Sequence, residues 1–366
     1  MAVVDQHPIA SDPDFGIAMQ DITIHSSRPI LVWGGGAIGG TVAGFLARHG
    51  REVDLVDVDR THIDAINRGG LRITGRRGDF IARLTSKLPS EIEESYDLVF
   101  LCVKADQTEH AIAEIVPALT EDGAIVSMQN GLCEHAISQV VGAHRTIGAT
   151  INFGAYRTEP GEVVVGNPGT VMLGELDGTM TARLDGIVAL LRHFEPKAGA
   201  TANIWGFLWG KLAYSVLIKA SALDDAPMVE FFTNPARHRL HLSLIREVLA
   251  VARAESITVE AFDGFDPRAF ETGDDADAIS CMNRMAGFFR ASTKPQSTIW
   301  QDLVVLKRRT DAPAQLAPCI EAAAARGLAV PVTQKLVELI RAVEDGQATT
   351  GGELHDVLES AIGLKG

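Results

Sequence analysis

Two lysines and a serine recur at four-residue intervals in one apolar segment. Lys211, Ser215 and Lys219 share one face of a predicted helix, because residues four apart lie above one another. A lysine in a partly dry cleft has its pKa lowered by desolvation, which makes it a usable proton donor near neutral pH. One reaction that needs such a donor is the reduction of a carbonyl group, because hydride delivered to the carbon leaves an alkoxide that must be protonated. The flanking Trp205 and Trp209 favour burial of this face over the alternative, a polar stripe facing solvent.

A second pattern suits a dinucleotide. Gly34, Gly36 and Gly39 fit the spacing G-x-G-x-x-G, with Ala37 and Ile38 between the last two. In this motif the first glycine permits a tight turn, the second lets the backbone approach a pyrophosphate, and the third lets the helix pack against the strand. The helix N-terminus binds the anion. A strand before the loop and a helix after it favour a cofactor site over a glycine-rich turn without a ligand.

The end of the second predicted strand bears on the choice of cofactor. Asp57 follows Gly39 by 18 residues. A carboxylate at about this distance accepts the ribose hydroxyls of NAD and repels a 2′-phosphate. We therefore expect NAD, with NADP as the alternative because Arg60 is near. Asp54 and Asp59 are expected to face solvent.

Polar residues follow the ends of two further predicted strands. Lys104 follows the apolar run 97–103, and Asn130 follows the strand 123–128. Ligands of open α/β sheets bind beyond the carboxyl ends of the strands, so both side chains are candidates for the site. The alternatives are a surface lysine on a loop and an ordinary turn at Asn130-Gly131.

The elements that must position these residues form two groups. Apolar strands alternate with helices up to about residue 203, which predicts an α/β fold with a doubly wound parallel sheet of the Rossmann type. A hairpin is expected from residues 163–165 and 171–173 on either side of Asn167-Pro168-Gly169. The predicted domains are a loosely ordered arm at 1–27, a dinucleotide-binding domain at 28–203 and an all-helical substrate or dimerisation domain at 204–366.

The helical half is predicted from apolar periodicity and from prolines, which suit the first position of a helix. The acidic stretch 263–277 is expected to be a solvated connection. Helices are expected at 209–222, 235–255, 277–291, 318–326 and 331–346.

Composition limits the partners. The 366 residues carry a formal net charge of −14, which argues against a nucleic-acid partner, because phosphate binding needs a basic field. Apolar runs fall short of the roughly 18 residues of a membrane helix. The four cysteines lack the spacing of a metal site and suit reduced thiols, so no metal and a cytoplasmic location are expected.

The motifs together resemble the ketopantoate reductase family over about residues 30–342. The family has a Rossmann domain, a helical C-terminal domain and an active site in the cleft between them, and it reduces a 2-keto acid, usually with NADPH. The resemblance rests on the glycine loop, Val103-Lys104-Ala105, Gln129-Asn130-Gly131, Trp209-Gly210-Lys211-Leu212-Ala213, Ser297 to Asp302, and Arg308 to Asp311.

The resemblance implies roles for single residues. Lys211 resembles the proton-donating lysine, and Asn130 the asparagine that contacts cofactor and substrate. Lys104 resembles a lysine that lines the cofactor site. Ser297 and Thr298 resemble the hydroxyl-bearing loop that holds the substrate carboxylate, and Asp311 takes roughly the place of an acid near the catalytic lysine.

The helix that carries Lys211 departs from the family pattern at two positions. The family commonly has asparagines four and eight residues after the catalytic lysine, where this chain has Ser215 and Lys219. Those asparagines help to bind ketopantoate, so the departure points away from ketopantoate itself. Lys219 suits a second anionic group of the substrate or a pairing with an acid such as Asp224.

The leading hypothesis is a nicotinamide-dependent oxidoreductase acting on a 2-keto or 2-hydroxy acid or a related carbonyl compound. The substrate is expected to be a small carboxylate, with Lys211 as general acid and base and with Ser215, Lys219, Ser297 and Thr298 around it. One alternative is an NAD-dependent catabolic dehydrogenase of a secondary alcohol, and another is a non-catalytic dinucleotide sensor. The helical domain is expected to support a homodimer.

Overall fold

A computed structural model of the protein describes residues 28–290 and 295–363. The predicted arm at 1–27 lies outside the described residues. The strands are β1 (Ile30–Trp33), β2 (Val53–Val56), β3 (Leu71–Gly75), β4 (Phe80–Ala82), β5 (Thr85–Lys87), β6 (Tyr96–Leu101), β7 (Leu119–Ser127), β8 (Thr146–Ile151), β9 (Ala155–Arg157), β10 (Glu162–Val165), β11 (Val171–Glu175) and β12 (Gly199–Ala200).

Helices run through both halves of the chain and dominate the second. They are α1 (Ala37–Arg48), α2 (Arg60–Gly69), α3 (Thr108–Ile115), α4 (Glu134–Val141), α5 (Ala182–Leu191), α6 (Ile204–Ser221), α7 (Met228–Thr233), α8 (His238–Ala254), α9 (Arg268–Glu271), α10 (Asp275–Arg290), α11 (Thr298–Trp300), α12 (Ala312–Ala325), α13 (Pro331–Glu344) and α14 (Gly352–Ser360).

The main sheet has eight strands in the order β12-β11-β8-β7-β6-β1-β2-β5, and the pairs from β8 to β5 are parallel. Successive residues of β1 point to opposite faces, so Ile30 and Val32 join one apolar core while Leu31 and Trp33 join another. Helices α1 and α5 cover the first face, and α3 and α4 cover the second. The doubly wound fold is therefore confirmed, and its strand order reverses between β1 and β6, where such sheets bind ligands.

The predicted hairpin is wrong. Strand β10 pairs with β3 and β9 in a separate sheet of order β4-β3-β10-β9, whereas β11 pairs antiparallel with β8 in the main sheet. A run of valines predicts a strand because it fits a pleated, half-buried surface. The run contains no information on which distant strand will be its partner.

The described residues from Ile204 onward are helical apart from their connections and one isolated bridge between Phe262 and Phe265. Two predictions for this half are wrong. Pro318 lies inside α12, which begins six residues earlier with Pro313 in its first turn, where a missing N–H is harmless. The stretch 263–277 is not simply a solvated connection, because Phe265 and Phe270 are buried in the helical core.

Helix α6 approaches the main sheet at two glycines. Gly148 of β8 and Gly174 of β11 are register partners, and a Cβ at either position would lie within 3 Å of the Ile204 side chain. The absence of side chains at these two positions lets the first turn of α6 rest directly on the sheet. The helix therefore starts at a set height over the middle of β8.

We expect Gly174→Ala to destabilise the protein, because its Cβ would lie 2.7 Å from both the Ile204 Cβ and the Thr201 carbonyl oxygen. Overpacking of this kind costs about 1–3 kcal/mol. Chemical denaturation measures the effect. The matched control is Gly287→Ala in α10, where a new Cβ meets nothing within 4 Å and alanine favours the helix. Equal stability of the two variants would contradict this packing.

Candidate active site

The glycine loop has an open side and a closed side. Gly34 has φ +105°, and a Cβ there would lie 2.9 Å from the carbonyl carbon of Cys102, which directly follows β6. A Cβ at Gly39 would collide with the Gly34 carbonyl oxygen, whereas a Cβ at Gly36 would meet nothing within 4 Å. Gly36 is also the N-cap of α1 and provides no capping side chain. The backbone N–H groups of Ala37 and Ile38, in the first turn of α1, therefore border open space and fit a pyrophosphate.

Asp57 lies beside this loop. Its Oδ1 accepts the Asp59 N–H at 2.9 Å, and its Oδ2 would be 3.2 Å from a Cβ on Gly35. One carboxylate oxygen is thus held by the backbone while the other lies next to the loop. Two arginines nearby are paired with carboxylates: Arg157 with Asp59 at 3.0 Å, and Arg60 with Glu91 at 3.5 Å.

The expectation that Asp54 and Asp59 face solvent is wrong for Asp54. Its carboxylate is buried, and it accepts the hydroxyl of Tyr96 from β6 at 2.6 Å and the ammonium of Lys87 from β5 at 3.0 Å. The strand period alone does not separate Asp54 from Asp57, because both sheet faces are covered. Asp59 is half-buried and caps α2 by accepting the N–H groups of Thr61 and His62.

His62 is a residue of this site that the sequence analysis missed. Its buried ring joins the glycine loop to the turn before β10: Nδ1 accepts the Gly161 N–H at 2.9 Å, so Nε2 carries the proton donated to the Gly35 carbonyl at 2.9 Å. Burial lowers the pKa of His62, which keeps the ring neutral. The nearest signal in the sequence was its position just after Asp57, which by itself indicates no contact.

Lys104 and Asp311 connect the two halves of the chain. The Lys104 ammonium pairs with Asp302, which is buried in a π-helical turn after α11 and also accepts Arg308 at 2.9 Å. Asp311 accepts the Ala105 N–H at 3.4 Å. Both carboxylates belong to the helical half and reach the end of β6, where the strand order reverses. The sequence analysis did not single out Asp302 as the partner of Lys104.

Asn130 lies on the same side. Its side chain is exposed, and the following Gly131 has φ +97°. A Cβ on Gly131 would lie 3.1 Å from the Cα of Gln315 in α12. This turn therefore packs against the helical half.

Lys211 extends from α6 to the end of β8, where its Nζ donates to the Ile151 carbonyl. Desolvation lowers its pKa to about 7, and the positive charge of Lys219 adds to this effect. Asp263 and the buried Glu134 oppose it. Burial also raises the pKa of Glu134 to about 7. Lys211 is thus a lysine that gains and loses its proton near neutrality.

Asp263 fastens the helical half to the sheet next to Lys211. Its Oδ2 accepts the Asn152 side-chain amide at 2.7 Å and the Thr170 N–H at 2.8 Å, and its Oδ1 accepts the Thr170 hydroxyl at 3.0 Å. Asn152 directly follows the carbonyl that Lys211 contacts. Asp263 and Asn152 were missed because the acid stands in a stretch that looked like a solvated loop.

The face of α6 continues from Lys211 to Ser215 and Lys219. Lys219 is buried, and its Nζ donates to the Ser215 hydroxyl at 2.8 Å. Burial lowers the pKa of Lys219 to about 8, while the negative charge of Asp311 opposes this shift. The suggested pairing of Lys219 with Asp224 is wrong: the Lys219 ammonium bonds Ser215, and Asp224 instead lies 3.8 Å from His355.

Ser297 and Thr298 come from the segment that packs against α6. Ser297 is buried and caps α11 by accepting the Trp300 N–H at 3.1 Å, whereas Thr298 is exposed. Among the predicted residues, the glycine loop and Asp57 thus form one group. Lys104, Asn130 and Asp311 line the contact between the halves, and Lys211, Ser215 and Lys219 form the third group, on α6.

The fold and this site define a dinucleotide-binding α/β oxidoreductase, and comparisons with known proteins specify its family. Family models described as ketopantoate reductase PanE/ApbA and its C-terminal part match residues 30–178 and 203–344. The chain belongs to the ketopantoate reductase family. It is accordingly an NAD(P)-dependent oxidoreductase acting on a C=O or CH–OH group, which leaves the hypothesis of a non-catalytic sensor without support.

Individual relatives agree with this assignment. The 2-dehydropantoate 2-reductase of Halobacterium salinarum is 26% identical over 321 residues, which cover 87% of this chain and 99% of the relative. The solved 2-dehydropantoate 2-reductase of Geobacter metallireducens is 25% identical with a TM-score of 0.73 over 86% of this chain and 99% of that one. A D-mandelate dehydrogenase solved with NADH and anilino(oxo)acetate is 23% identical with a TM-score of 0.76, covering 87% and 99%.

The described residues lack two further features. None of their helices is long and apolar enough to cross a bilayer. No group of three or more histidines, cysteines and acids among them is arranged to hold a metal ion.

We expect Lys211 to titrate with a midpoint near pH 7 and Lys219→Met to move that midpoint upward, because the variant removes a like charge. Side-chain NMR of labelled lysine measures both. Lys335→Met, in α13 and paired with Glu338, serves as the matched control and leaves the midpoint in place. A Lys211 midpoint near the ordinary 10.4 would contradict the desolvation described here.

Proposed function

We propose that the protein transfers hydride between a nicotinamide cofactor and the carbonyl carbon of a 2-keto acid or the corresponding 2-hydroxy acid, with Lys211 as general acid and base. The observation that carries the proposal is the desolvated ammonium of Lys211 at the carboxyl end of β8, with its pKa lowered to about 7. A group with this pKa is present in both protonation states at neutral pH, so it can serve the reaction in either direction.

The chain's residues fit the cofactor in separate places. The open N-terminus of α1 at Gly36 suits the pyrophosphate, and the free oxygen of Asp57 suits the ribose hydroxyls. The bound nicotinamide supplies a hydride in reduction and accepts one in oxidation. Lys104 and Asn130 lie beyond the ends of β6 and β7, the edge at which such sheets hold their ligands.

In reduction, Lys211 donates its proton to the carbonyl oxygen as hydride reaches the carbon, and solvent restores the proton afterwards. In oxidation, neutral Lys211 takes the proton of the hydroxyl. Asn130, Ser297 and Thr298 are proposed to orient the substrate. The Ser297 oxygen accepts the Trp300 N–H, and its hydroxyl proton can be donated to a carboxylate.

The structure suggests narrower roles for two predicted residues. Ser215 donates its proton to the Leu212 carbonyl at 3.2 Å and accepts from Lys219, so we propose that it positions Lys219. Asp311 influences Lys219 and holds the Ala105 N–H, so we propose that it positions the cleft wall instead of acting on Lys211. The homodimer and the cytoplasmic location stay predictions.

We expect Lys211→Ala to lower turnover by about two or more decades, given typical contributions of general acids and bases, while cofactor affinity persists. Steady-state nicotinamide absorbance measures turnover, and quenching of protein fluorescence measures cofactor binding. Lys335→Met is again the matched control. Unchanged turnover in Lys211→Ala would remove Lys211 from the reaction.

We expect a preference for NADH over NADPH, because Asp57 places a carboxylate where a 2′-phosphate would need a cation. Comparison of kcat/KM with the two cofactors tests this, and Asp57→Ser is expected to shift the ratio toward NADPH. A strong NADPH preference in the unaltered protein would contradict the role given to Asp57.

A substrate panel of 2-keto acids, 2-hydroxy acids and secondary alcohols, run with both cofactors, separates the keto-acid proposal from a catabolic alcohol dehydrogenase.

A further inference from the structure

Lys219 is a buried cation with unused hydrogen-bonding capacity. Its side chain is 1% exposed, and an ammonium has three N–H donors. Within residues 28–290 and 295–363 its one hydrogen-bond acceptor is the Ser215 hydroxyl oxygen. Two donors of a charged group are thus left without acceptors in a place where a charge is costly to bury unless it is paired.

The carboxylates around Lys219 do not fill this need. Asp311 acts on it through its charge from beyond ion-pairing distance, and its own oxygen accepts the Ala105 N–H. Asp302 is already ion-paired with Lys104 and Arg308. The adjacent charge on the same face is Lys211, which is positive when protonated and repels Lys219. The balance on this face of α6 therefore favours an added anion.

The position of Lys219 indicates where such an anion would lie. Side chains on a helix tilt toward its N-terminus, and the bond to Ser215 holds the Lys219 ammonium at the level of that residue. Ser215 is half-buried and follows Lys211 by one turn, roughly 6 Å along the axis. A short substrate whose carbonyl oxygen meets Lys211 can extend its far end to Lys219.

We propose that Lys219 binds a second carboxylate of the substrate, so that the preferred substrates are 2-keto dicarboxylic acids of four or five carbons. This inference rests on the proposed function, in which hydride reaches the carbonyl carbon and Lys211 protonates its oxygen. The second carboxylate takes no part in the redox step and accepts the free N–H groups of Lys219.

The first experiment uses the unaltered protein and substrate pairs that differ in one charge. Oxaloacetate is compared with 2-oxosuccinamate, and 2-oxoglutarate with 2-oxoglutaramate, by kcat/KM with NADH and NADPH. We expect at least one diacid to be preferred over its amide about ten- to a hundredfold, the size expected of a charge-assisted hydrogen bond. Amides or simple 2-keto monocarboxylates reduced as well as the diacids overturn this inference and leave the proposed function standing. No turnover of any 2-keto acid overturns both.

The second experiment separates a binding role from a structural one. In Lys219→Met the preference for diacid over amide is expected to fall to about one, and Lys219→Arg is expected to keep most of it. A lysine needed only for packing would lower kcat/KM for both members of a pair alike, so an unchanged ratio in Lys219→Met overturns the inference. If Lys219→Met does not fold, the charge comparison in the unaltered protein still decides.

Discussion

The contact between α6 and the main sheet is the constraint on which the site depends. Because Gly148 and Gly174 carry no side chains, Ile204 rests directly on β8 and β11, and the helix starts at a defined height. Two turns later Lys211 reaches the Ile151 carbonyl. The same closeness removes water from the lysine and lowers its pKa toward neutrality. A packing contact between glycines and an isoleucine therefore sets the chemistry of a nitrogen about 10 Å further along the helix.

Charges from separate segments are arranged around this helix. Asp263 fastens the loop before α9 to Asn152 and adds a negative charge near Lys211. Asp302 neutralises Lys104 at the end of β6. Among residues 28–290 and 295–363, Lys219 has only a distant acid and a neutral hydroxyl near it. The site thus has one lysine paired with an acid, one whose pKa is lowered to about 7, and one whose pKa is lowered to about 8 and whose ammonium bonds a neutral hydroxyl. These differences underlie the proposed division of labour.

Much of the fold could be predicted because its signals are local. The glycine loop and the buried strands follow from short apolar runs and turn residues. The pairing of β10 with β3, the start of α12 at Ala312 and the burial of Asp54 could not, because each depends on what packs against the segment from far away in the chain. For the site, the spacing of Lys211, Ser215 and Lys219 was visible in the sequence. The partners His62, Asp263 and Asp302 were not, since a lone histidine or acid carries no mark of its contact.

The sequence by itself determined the class of cofactor, the presence of a lysine-bearing helix face and the family, because each of these depends on residue types at fixed short spacings. Only the tertiary structure decided that Asp57 lies beside the glycine loop, which acid pairs with Lys104 and how much water Lys211 loses. These are properties of distances between residues that are about 20 to about 200 positions apart in the chain. A hydrogen bond or a desolvated charge arises from such distances, and no local pattern in the chain encodes them.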